Sequence, residues 1–372
     1  MIDNTLPPAI ARSLVSLHGV TEVVAVAPGM SGARVFRCQS YDGRQFALRR
    51  WQSQASPKRI AEIHRIVASA YGNGCTMVPQ QLPMDFHGNT CPSFDGSTWD
   101  LATWVTGSPL PADATVQQIA AGAAAIGRFH QAVATMGNRM QPAPAVRSRL
   151  SRAAEVDRLL PRLQGVDWSA CPEILIRPLA RARDQLQTKW ASVHHEFARS
   201  IRGYHDADVL TQYVIRDVHR GHILFTSTDS DQVAESVAME TTATKTDATD
   251  DAATSYRATG MIDFDAVRVD TPVTDLVRWG GSFLDSHHLG DCGADAIWDS
   301  VLAGHQREST SLQSWRAGEF RLLAGQLHRI STWISLANWL DWLTIEQRKF
   351  PTNDQMVARR IDELADLADL EL

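Results

Sequence analysis

The sequence predicts an α+β chain of two lobes, with a small, mostly antiparallel sheet in the first lobe and a larger, mainly helical second lobe. Three observations indicate this architecture. Residues 20–106 contain short apolar or alternating runs separated by turn signals, which is the pattern of strands joined by hairpins. From about residue 114 onward the apolar residues recur at helical spacing. The chain has 372 residues, more than the roughly 100–200 that one domain usually needs.

The composition argues against several classes of protein. With 36 Lys and Arg against 42 Asp and Glu, the net charge is −6, whereas nucleic-acid-binding domains concentrate basic residues on one face. No run of about 18 apolar residues occurs, so no membrane span is predicted. The five cysteines are dispersed without a CxxC pair, and the start lacks the charged and apolar regions of a signal peptide. We expect a cytoplasmic monomer or homodimer with a small-molecule substrate and no nucleic-acid or membrane partner.

The first lobe, residues 1–106, is predicted to contain strands and one helix. The helix begins where Ser56 offers an N-cap and Pro57 the first helical position, and it continues to about residue 70. An Asp-Gly hairpin signal at residues 41–44 joins two of the strands. The predicted strands are residues 23–26, 33–38, 45–49, 82–86 and 98–105.

The second lobe, residues 107–372, is predicted from its helical periodicity. One helix runs from Val116 to His130, and another runs from about Pro178 to Ser200 with the proline at its first position. From Val273 onward the pattern is again helical, and this tail holds six of the eleven tryptophans. Trp333, Trp339 and Trp342 stand at roughly helical spacing, and we interpret them as core packing residues rather than as a ligand cage.

Residues 226–256 differ in composition from the segments around them. They hold seven Asp and Glu, one Lys and many Thr, Ser and Ala, with one aromatic residue. Such a segment cannot bury enough apolar surface to offset the entropy lost on ordering. We expect a disordered acidic loop inserted between two strands, serving as a solvated spacer, with a regulatory role as the alternative.

Two segments carry residues suited to chemistry. Val214–Phe225 contains the run Arg-Asp-Val-His-Arg-Gly-His, and Gly260–Asp265 follows the acidic segment. In each segment a polar cluster adjoins an apolar strand, which places functional side chains at strand ends. Two acidic groups held in this way, with a third polar ligand, could bind a divalent cation.

This pattern resembles the aminoglycoside phosphotransferase/choline kinase family, whose members share the protein-kinase-like fold. Those enzymes typically read H-G-D-x-H-x-x-N, followed by a motif at the D-F-G position and then D-P-x-x-D-L. Residues 215–222 keep the spacing of the first motif, and residues 263–265 stand at the second. Asp270 and Asp275 resemble the third, with one extra residue between them, and residues 127–130 are similar to the L-x-x-L-H of the family's first C-lobe helix.

The resemblance implies roles for four residues. Asp217 would accept the proton of an acceptor hydroxyl, and His219 falls on the second histidine of the motif, so both are candidate catalytic residues. Asp263 would hold a divalent metal ion, Mg²⁺ or Mn²⁺, with His222 as the second ligand where the family has asparagine. The implied reaction moves the γ-phosphate of ATP to a hydroxyl of an amino alcohol, a sugar or an aminoglycoside-like molecule.

The resemblance also implies a nucleotide site. Residues 28–32 are similar to the family's nucleotide-binding loop, and residues 104–107 are similar to its hinge. Arg49 stands where the family has the lysine of V-A-I-K, and Glu62 on the first helix is its expected partner. The candidate nucleotide-binding residues are Gly29, Ser31, Gly32, Arg49, Glu62, Thr103 and Val105.

Three positions depart from the family pattern: His222 replaces asparagine, Arg49 replaces lysine and Ile215 replaces histidine. These departures leave open a pseudokinase that binds nucleotide without turnover. A metal-dependent hydrolase built on Asp217, His219 and His222 is a third reading, but further metal-ligand clusters with supporting context are missing from the sequence. Acidic residues of the tail could attract an amine of the acceptor or be surface charges: Asp285, Asp291 and Asp341.

Overall fold

A computed structural model describes residues 6–26, 33–52, 55–168, 171–227, 256–284, 293–350 and 352–370. Its strands are β1 Val20–Ala25, β2 Arg34–Ser40, β3 Gln45–Arg50, β4 Gln81–Leu82, β5 Ser93–Phe94, β6 Ser97–Thr103, β7 Ser108–Pro109, β8 Arg139–Pro142, β9 Asp208–Val214, β10 Ile223–Ser227, β11 Tyr256–Met261 and β12 Arg268–Asp270. Its helices are α1 Pro8–His18, α2 Pro57–Gly72, α3 Val116–Val133, α4 Pro144–Leu163, α5 Glu173–Ser200, α6 Arg202–His205, α7 Val273–Gly281, α8 Gly293–Gln306, α9 Ala317–Leu340 and α10 Asp354–Asp369.

The first sheet is antiparallel, with strand order β1-β2-β3-β6-β4 and β5 paired to β6. Because side chains alternate along a strand, apolar residues collect on one face, where α1 covers them. The opposite face carries Arg49 on β3 and Asp100 on β6, which are direct cross-strand neighbours. The sheet therefore presents a charged pair on the face away from α1.

Helix α2 forms as the sequence predicts. The Ser56 side chain accepts a hydrogen bond from the backbone N–H of Arg59, and Pro57 occupies the first turn. Ile60, Ile63 and other apolar residues of one helix face are buried in the large core that also contains residues of α3. The packing fixes the end of the first sheet against the helical part.

The helical part surrounds a core rich in aromatic residues. The interpretation of the tail tryptophans as core residues is confirmed for Trp333 and Trp339, and Trp342 is partly buried against the same core. Helices α5, α9 and α10 pack against one another. Within the described residues, no helix is long and apolar enough to cross a membrane. The cysteines at positions 38, 75, 91 and 171 are free thiols.

Two small sheets flank the segments of residues 215–222 and 263–265. Strands β10 and β11 pair antiparallel, as the sequence predicts, and β7 pairs with the other edge of β10. Strand β9 pairs with β12 and β8. Gly260 of β11 lies so close to Val105 that a Cβ at position 260 would come 1.8 Å from a Val105 methyl carbon. Only glycine permits this approach, which seats the segment after β6 on the hairpin.

Some sequence expectations are wrong in detail. The strand expected at residues 82–86 stops at Leu82, because Pro83 cannot donate to a ladder and Asp85 instead accepts the backbone N–H groups of His87 and Asn89 in a turn. Helix α5 begins five residues earlier than expected, which puts Pro178 inside it. Helix α1 was not expected. The predicted disorder of residues 226–256 concerns a segment of which 228–255 lie outside the described residues, and the lobe boundary at residue 106 stays a prediction.

Candidate active site

The loop of residues 215–222 connects β9 to β10 and carries three of the predicted site residues. Asp275 at the start of α7 holds the beginning of this loop, since its carboxylate accepts the backbone N–H of Ile215 at 2.7 Å and of Arg216 at 2.6 Å. Arg216 has a φ of 69°, a left-handed conformation that costs a non-glycine residue roughly 1–3 kcal/mol. The family motif has glycine at this position, which adopts the same conformation without strain.

Two histidines fix Asp275 from the side opposite the loop. Nε2 of His130 donates to Oδ2 of Asp275 at 2.9 Å, and Nδ1 of His130 lies 2.9 Å from Nε2 of His305. All three side chains are fully buried. Burial, and then the neighbouring His130, lower the pKa of His305 well below its ordinary value. The neutral His305 ring therefore donates from Nε2 to His130, and the chain of hydrogen bonds ends on the carboxylate that anchors the loop.

Asp217 forms an ion pair with Arg278 of α7. Nη2 of Arg278 donates to Oδ1 of Asp217 at 2.5 Å, and both side chains remain partly exposed. Burial alone would raise the pKa of Asp217, but the attraction and hydrogen bond of Arg278 outweigh it and hold that pKa below its usual value. Asp217 is thus an ionised carboxylate, as a proton acceptor must be.

His222 joins the two segments that the sequence singles out. Its Nδ1 lies 2.6 Å from the backbone carbonyl oxygen of Asp217, and a carbonyl can only accept, so Nδ1 carries the proton. Its Nε2 lies 3.5 Å from Oδ2 of Asp263. The backbone carbonyl of His222 also accepts the N–H of Ile262 at 3.0 Å. A ring oriented in this way has its Nε2 lone pair free in the neutral form, which is the usual state of a ligating histidine.

His219 lies next to His222, with ring centroids 3.8 Å apart. Its Nδ1 accepts the backbone N–H of Gly221 at 3.1 Å, so the proton of the neutral ring is on Nε2. Burial, followed by the neighbouring His222, lowers the pKa of His219 to about 4. His219 is therefore neutral at neutral pH.

The Asp263-Phe264-Asp265 segment follows β11 and turns sharply at Asp263, whose φ is 64°. Phe264 is buried and its ring lies 5.4 Å from that of Phe129. This packing anchors the segment, with Asp263 facing His222 and Asp265 facing the first sheet. Oδ1 of Asp265 accepts a hydrogen bond from Nη1 of Arg49. The segment thus links the loop of Asp217 to the predicted nucleotide site.

Arg49 lies between two carboxylates. Besides Asp265, it contacts Asp100, with 3.0 Å from Nη2 to Oδ2, and its guanidinium stacks 3.6 Å from the ring centre of Trp51. Burial would lower the pKa of Arg49, but the two carboxylates raise it. Asp100 also contacts His64 of α2 at 3.1 Å, so the helix reaches Arg49 through an intermediate carboxylate.

The expected Arg49–Glu62 pair is wrong for this structure. Glu62 instead accepts a hydrogen bond from Arg59 at 2.8 Å, three residues earlier on the same helix. The physical reason is that Asp100, directly opposite Arg49 on the neighbouring strand, already provides the buried partner. A nucleotide-binding role for Glu62 stays a prediction.

The remaining predicted nucleotide residues are only partly described. Thr103 ends β6, where its N–H donates to the carbonyl of Gln80 and its hydroxyl accepts the N–H of Gln80, both at 2.9 Å. Val105 packs on Gly260, as described above. Gly29, Ser31 and Gly32 lie outside the described residues, as do Asp285 and Asp291 of the tail. Asp341 opens the π-helical turn Asp341–Ile345, and its buried Oδ1 has no hydrogen-bond partner within the described chain.

The donor set at His222 and Asp263 suits a divalent cation shared with a phosphorylated ligand. Within the described ranges no three His, Cys, Asp or Glu side chains converge as a complete cage. Magnesium in kinase-type sites uses one or two carboxylates and completes its shell with water and phosphate oxygens. One carboxylate and one free imidazole nitrogen therefore fit such an ion, and the nitrogen favours Mn²⁺ relative to an all-oxygen set.

Several residues of the site carry no sequence signal strong enough to find them. Arg278, Asp100 and His64 come from three separate elements, and their roles follow from contacts made only in the folded chain. For Asp275 and His130 a signal exists, because both stand within segments similar to family motifs. Their mutual hydrogen bond joins residues 145 apart in the chain, and no local pattern encodes it.

Comparison with known proteins gives a family and a fold. The sequence profile of the phosphotransferase enzyme family matches residues 23–234. No curated protein sequence matches the chain. Among solved structures, an aminoglycoside phosphotransferase from Alicyclobacillus acidocaldarius subsp. acidocaldarius DSM 446 is similar at a TM-score of 0.57 and 12% identity, over 99% of this chain and 95% of that one.

Two further structures bear nucleotides or their analogues. An amicoumacin kinase in complex with AMP-PNP and Ca²⁺ is similar at a TM-score of 0.57 and 12% identity, over 96% of this chain and 92% of that chain. A spectinomycin phosphotransferase in complex with ADP and spectinomycin is similar at a TM-score of 0.58 and 8% identity, over 98% of each chain. These likenesses concern the fold, and the predicted two-lobed, protein-kinase-like α+β architecture is confirmed.

Proposed function

The chain belongs to the phosphotransferase enzyme family, and on this premise we propose that it moves the γ-phosphate of ATP to a hydroxyl of a small molecule. The observation that carries the proposal is an unbroken series of contacts. Asp217 and Asp263 both approach His222, and two residues beyond Asp263 the chain reaches Arg49 through Asp265. These are the parts that phosphoryl transfer requires: a proton acceptor, a cation site and a phosphate-binding cation.

Asp217 is the proposed proton acceptor. The acceptor oxygen forms a bond to the γ-phosphorus, the bond between that phosphorus and the oxygen of the departing ADP breaks, and the hydroxyl proton passes to the Asp217 carboxylate. The lowered pKa of Asp217 suits it to orient the hydroxyl rather than to hold a proton in the resting state. The neutral His219, whose Nε2 carries the proton, is the second proposed catalytic residue and would donate a hydrogen bond near the transferring group.

The proposed nucleotide site uses Arg49 for the phosphates and the backbone around Gly29, Ser31 and Gly32 as a cradle. A guanidinium can contact two phosphate oxygens at once, so Arg49 is a chemically sound replacement for lysine. The strand end and hinge residues Thr103 and Val105 are proposed to contact the base. Glu62 is proposed to act from α2, beside the Arg59 it now contacts.

Asp263 and His222 would hold a Mg²⁺ or Mn²⁺ ion. Such an ion neutralises phosphate charge as the γ-phosphate is transferred. The contribution of this chain is to hold the imidazole in one orientation through the Asp217 carbonyl, and to hold Asp263 through the buried Phe264.

The second candidate function is a pseudokinase that binds nucleotide without turnover. Two observations favour it: Arg278 forms an ion pair with Asp217, the proposed proton acceptor, and Asp265 forms an ion pair with Arg49. Both ion pairs must be replaced by contacts with ligands before transfer can occur.

A turnover screen separates the two functions. ATP consumption would be measured with amino alcohols, sugars, aminoglycosides and hydroxy acids as acceptors, with Mg²⁺ and Mn²⁺ in parallel, and product formation checked by mass spectrometry. We expect transfer to at least one acceptor class. Stabilisation of the protein by nucleotide without transfer to any acceptor would instead support the pseudokinase, and phosphatase activity without ATP would support the hydrolase.

A further inference from the structure

Arg149 of α4 is a mostly buried guanidinium without an acidic partner. Its Nε donates to the Ser331 hydroxyl at 2.7 Å and its Nη1 to the Ala145 carbonyl at 3.2 Å. Both partners are neutral, and among the described residues no carboxylate lies within ion-pair distance of Arg149. A buried charge without a counter-charge is unfavourable unless something else balances it.

The surroundings of Arg149 add positive charge. Burial lowers the pKa of Arg149 to about 10, and although Asp270 opposes the shift, Arg278 and Arg216 increase it. The Oδ1 of Asp270 accepts the N–H of Ala145 and of Thr271, and its Oδ2, which has no hydrogen-bond partner among the described residues, lies 3.7 Å from Nε of Arg216. Asp270 is therefore within ion-pair distance of Arg216 and not of Arg149.

Arg149 differs in this respect from the two guanidinium groups near it. Among the described residues Arg278 is paired with Asp217 and Arg216 lies 3.7 Å from Asp270, whereas Arg149 forms no ion pair. His328, whose ring contacts Gly281 of α7, lies near Arg278 and Arg149, and its buried Nε2 has no hydrogen-bond partner among the described residues.

We propose that the acceptor is an anionic molecule, whose carboxylate or phosphate group binds Arg149 and Arg278 while its hydroxyl lies at Asp217. This inference rests on the proposed phosphotransferase function and names its substrate class. Guanidinium groups pair with carboxylate and phosphate through two parallel hydrogen bonds, which suits both anions. A cationic acceptor would meet the repulsion of the same arginines.

The proposal also accounts for the ion pair that covers Asp217. An anionic group on the acceptor replaces Asp217 as the partner of Arg278, so that binding the correct acceptor frees an oxygen of the proton acceptor. A neutral or cationic alcohol offers no replacement partner, and Arg278 stays on Asp217. Selection of the acceptor and release of the carboxylate are then one event.

Four small alcohols of similar size test the charge preference: glycerol, D-glycerate, glycerol 3-phosphate and 3-amino-1,2-propanediol. The first readout is the melting temperature of the full chain with each compound at equal concentration and ionic strength. We expect the two anions to stabilise the protein and the neutral and cationic alcohols to have little effect. Comparison of glycerate with glycerol 3-phosphate distinguishes a carboxylate site from a phosphate site.

Variants locate the effect. Arg149→Met and Arg278→Gln should abolish the stabilisation by anions, and Arg149→Lys should retain part of it, while Arg147→Met on the exposed face of the same helix should leave it intact. Circular dichroism establishes that each variant is folded. Equal stabilisation of wild type and Arg149→Met by the anions, or no stabilisation of the wild type by either anion, would overturn the proposal.

The second readout is transfer. For whichever acceptor is phosphorylated, Arg149→Met should raise KM about 10- to 100-fold, the loss expected for a hydrogen-bonded charge pair, while KM for ATP stays unchanged. Preferred transfer to an amino alcohol, insensitive to Arg149, would overturn the anionic class and leave the phosphotransferase function standing. Anion binding that depends on Arg149 without any transfer would overturn the function and leave the anion site standing. A fall in kcat for neutral and anionic acceptors alike in Arg278→Gln would assign Arg278 to the transferred phosphate and overturn its role here.

Discussion

Nε2 of His222 lies 3.5 Å from Oδ2 of Asp263, with no proton between them in the neutral ring. Two electron-rich atoms at this separation are suited to share a cation. The first prediction is that His222→Asn shifts the metal preference toward Mg²⁺, because an amide oxygen is a harder ligand than imidazole. The measurement is nucleotide affinity, and transfer rate, in Mg²⁺ and in Mn²⁺. His87→Asn, at an exposed position, is the control. If the ratio of the affinities in Mg²⁺ and in Mn²⁺ is unchanged, His222 is not a metal ligand. It would then be a hydrogen-bond donor to a phosphate group or a structural residue.

The second prediction concerns Asp217. Asp217→Asn should retain nucleotide binding and lose about 10²- to 10⁴-fold in transfer rate, because the amide cannot accept the hydroxyl proton. Equilibrium titration with nucleotide and a coupled assay for ADP measure the two effects. Asp184→Asn, an exposed replacement on α5, controls for the loss of one negative charge. A pseudokinase makes a different forecast, in which the wild type shows no transfer and Asp217→Asn changes little.

The third prediction concerns the Asp265 carboxylate on Arg49. A nucleotide phosphate has to replace this contact, so Asp265→Asn should bind ATP about 2- to 10-fold more tightly in the absence of metal, which corresponds to one partly exposed ion pair. Calorimetric titration in a chelating buffer measures this affinity. Asp42→Asn on the β2–β3 turn is the matched control. Weaker binding by Asp265→Asn would show that Asp265 positions Arg49 for the phosphate rather than competing with it.

The fourth prediction concerns the anchor of the loop of residues 215–222. Asp275 accepts from three N–H donors, and an amide oxygen in Asp275→Asn cannot serve all of them while its NH₂ group faces a donor. We expect a loss of about 3–5 kcal/mol in the free energy of unfolding, as for removal of a buried charged partner, together with a lower kcat. Urea denaturation and steady-state kinetics measure the two. A stable variant with unchanged kcat would show that the loop holds its shape without Asp275.

The fifth prediction is a loss of stability in mild acid. Burial is the main cause that lowers the pKa of His328 to about 4 and the pKa of His305 well below its usual value. Between about pH 6.5 and pH 4 these two imidazoles are protonated in the unfolded chain but remain neutral in the folded chain. The free energy of unfolding therefore falls as the pH drops through this range. Each histidine contributes at most about 1.4 kcal/mol per pH unit. Denaturation curves across this range measure the slope, which should be smaller in His328→Gln. A pH-independent free energy would contradict the neutral, buried state of these rings.

The sequence predicted the parts of the fold that are specified locally. Helix α2 begins with a cap and a proline that act within one turn, and the β2–β3 hairpin is set by Asp42 and Gly43. Both elements therefore form as the sequence predicts. The strand at residues 82–86 failed because turn chemistry at Asp85 overrode the apolar pattern. The order of the site segments was also readable, since residues 215–222 and 263–265 keep recognisable spacing.

The partners of the site residues could not be predicted in the same way. The partner of Arg49 depends on strand register, because Asp100 stands 51 residues later in the chain and directly opposite it in the sheet. Arg278 reaches Asp217 across 61 residues, and no local pattern encodes that contact. The candidate site residues are recognisable from the spacing of motifs in the sequence, whereas their partners are determined by tertiary packing.

Arg49 in place of lysine has a consequence for chemical probing of this protein. The chain has only four lysines, and the three within the described residues lie on α2, on α5 and just before residue 350, not on β3 where Arg49 stands. A guanidinium is not an acylating target under conditions in which an amine reacts, and its charge does not titrate in the accessible pH range. Amine-directed nucleotide probes, which label kinases at the phosphate-binding lysine, should therefore leave this site unmarked. An inventory of kinases built on such labelling would pass over this protein even when it is abundant.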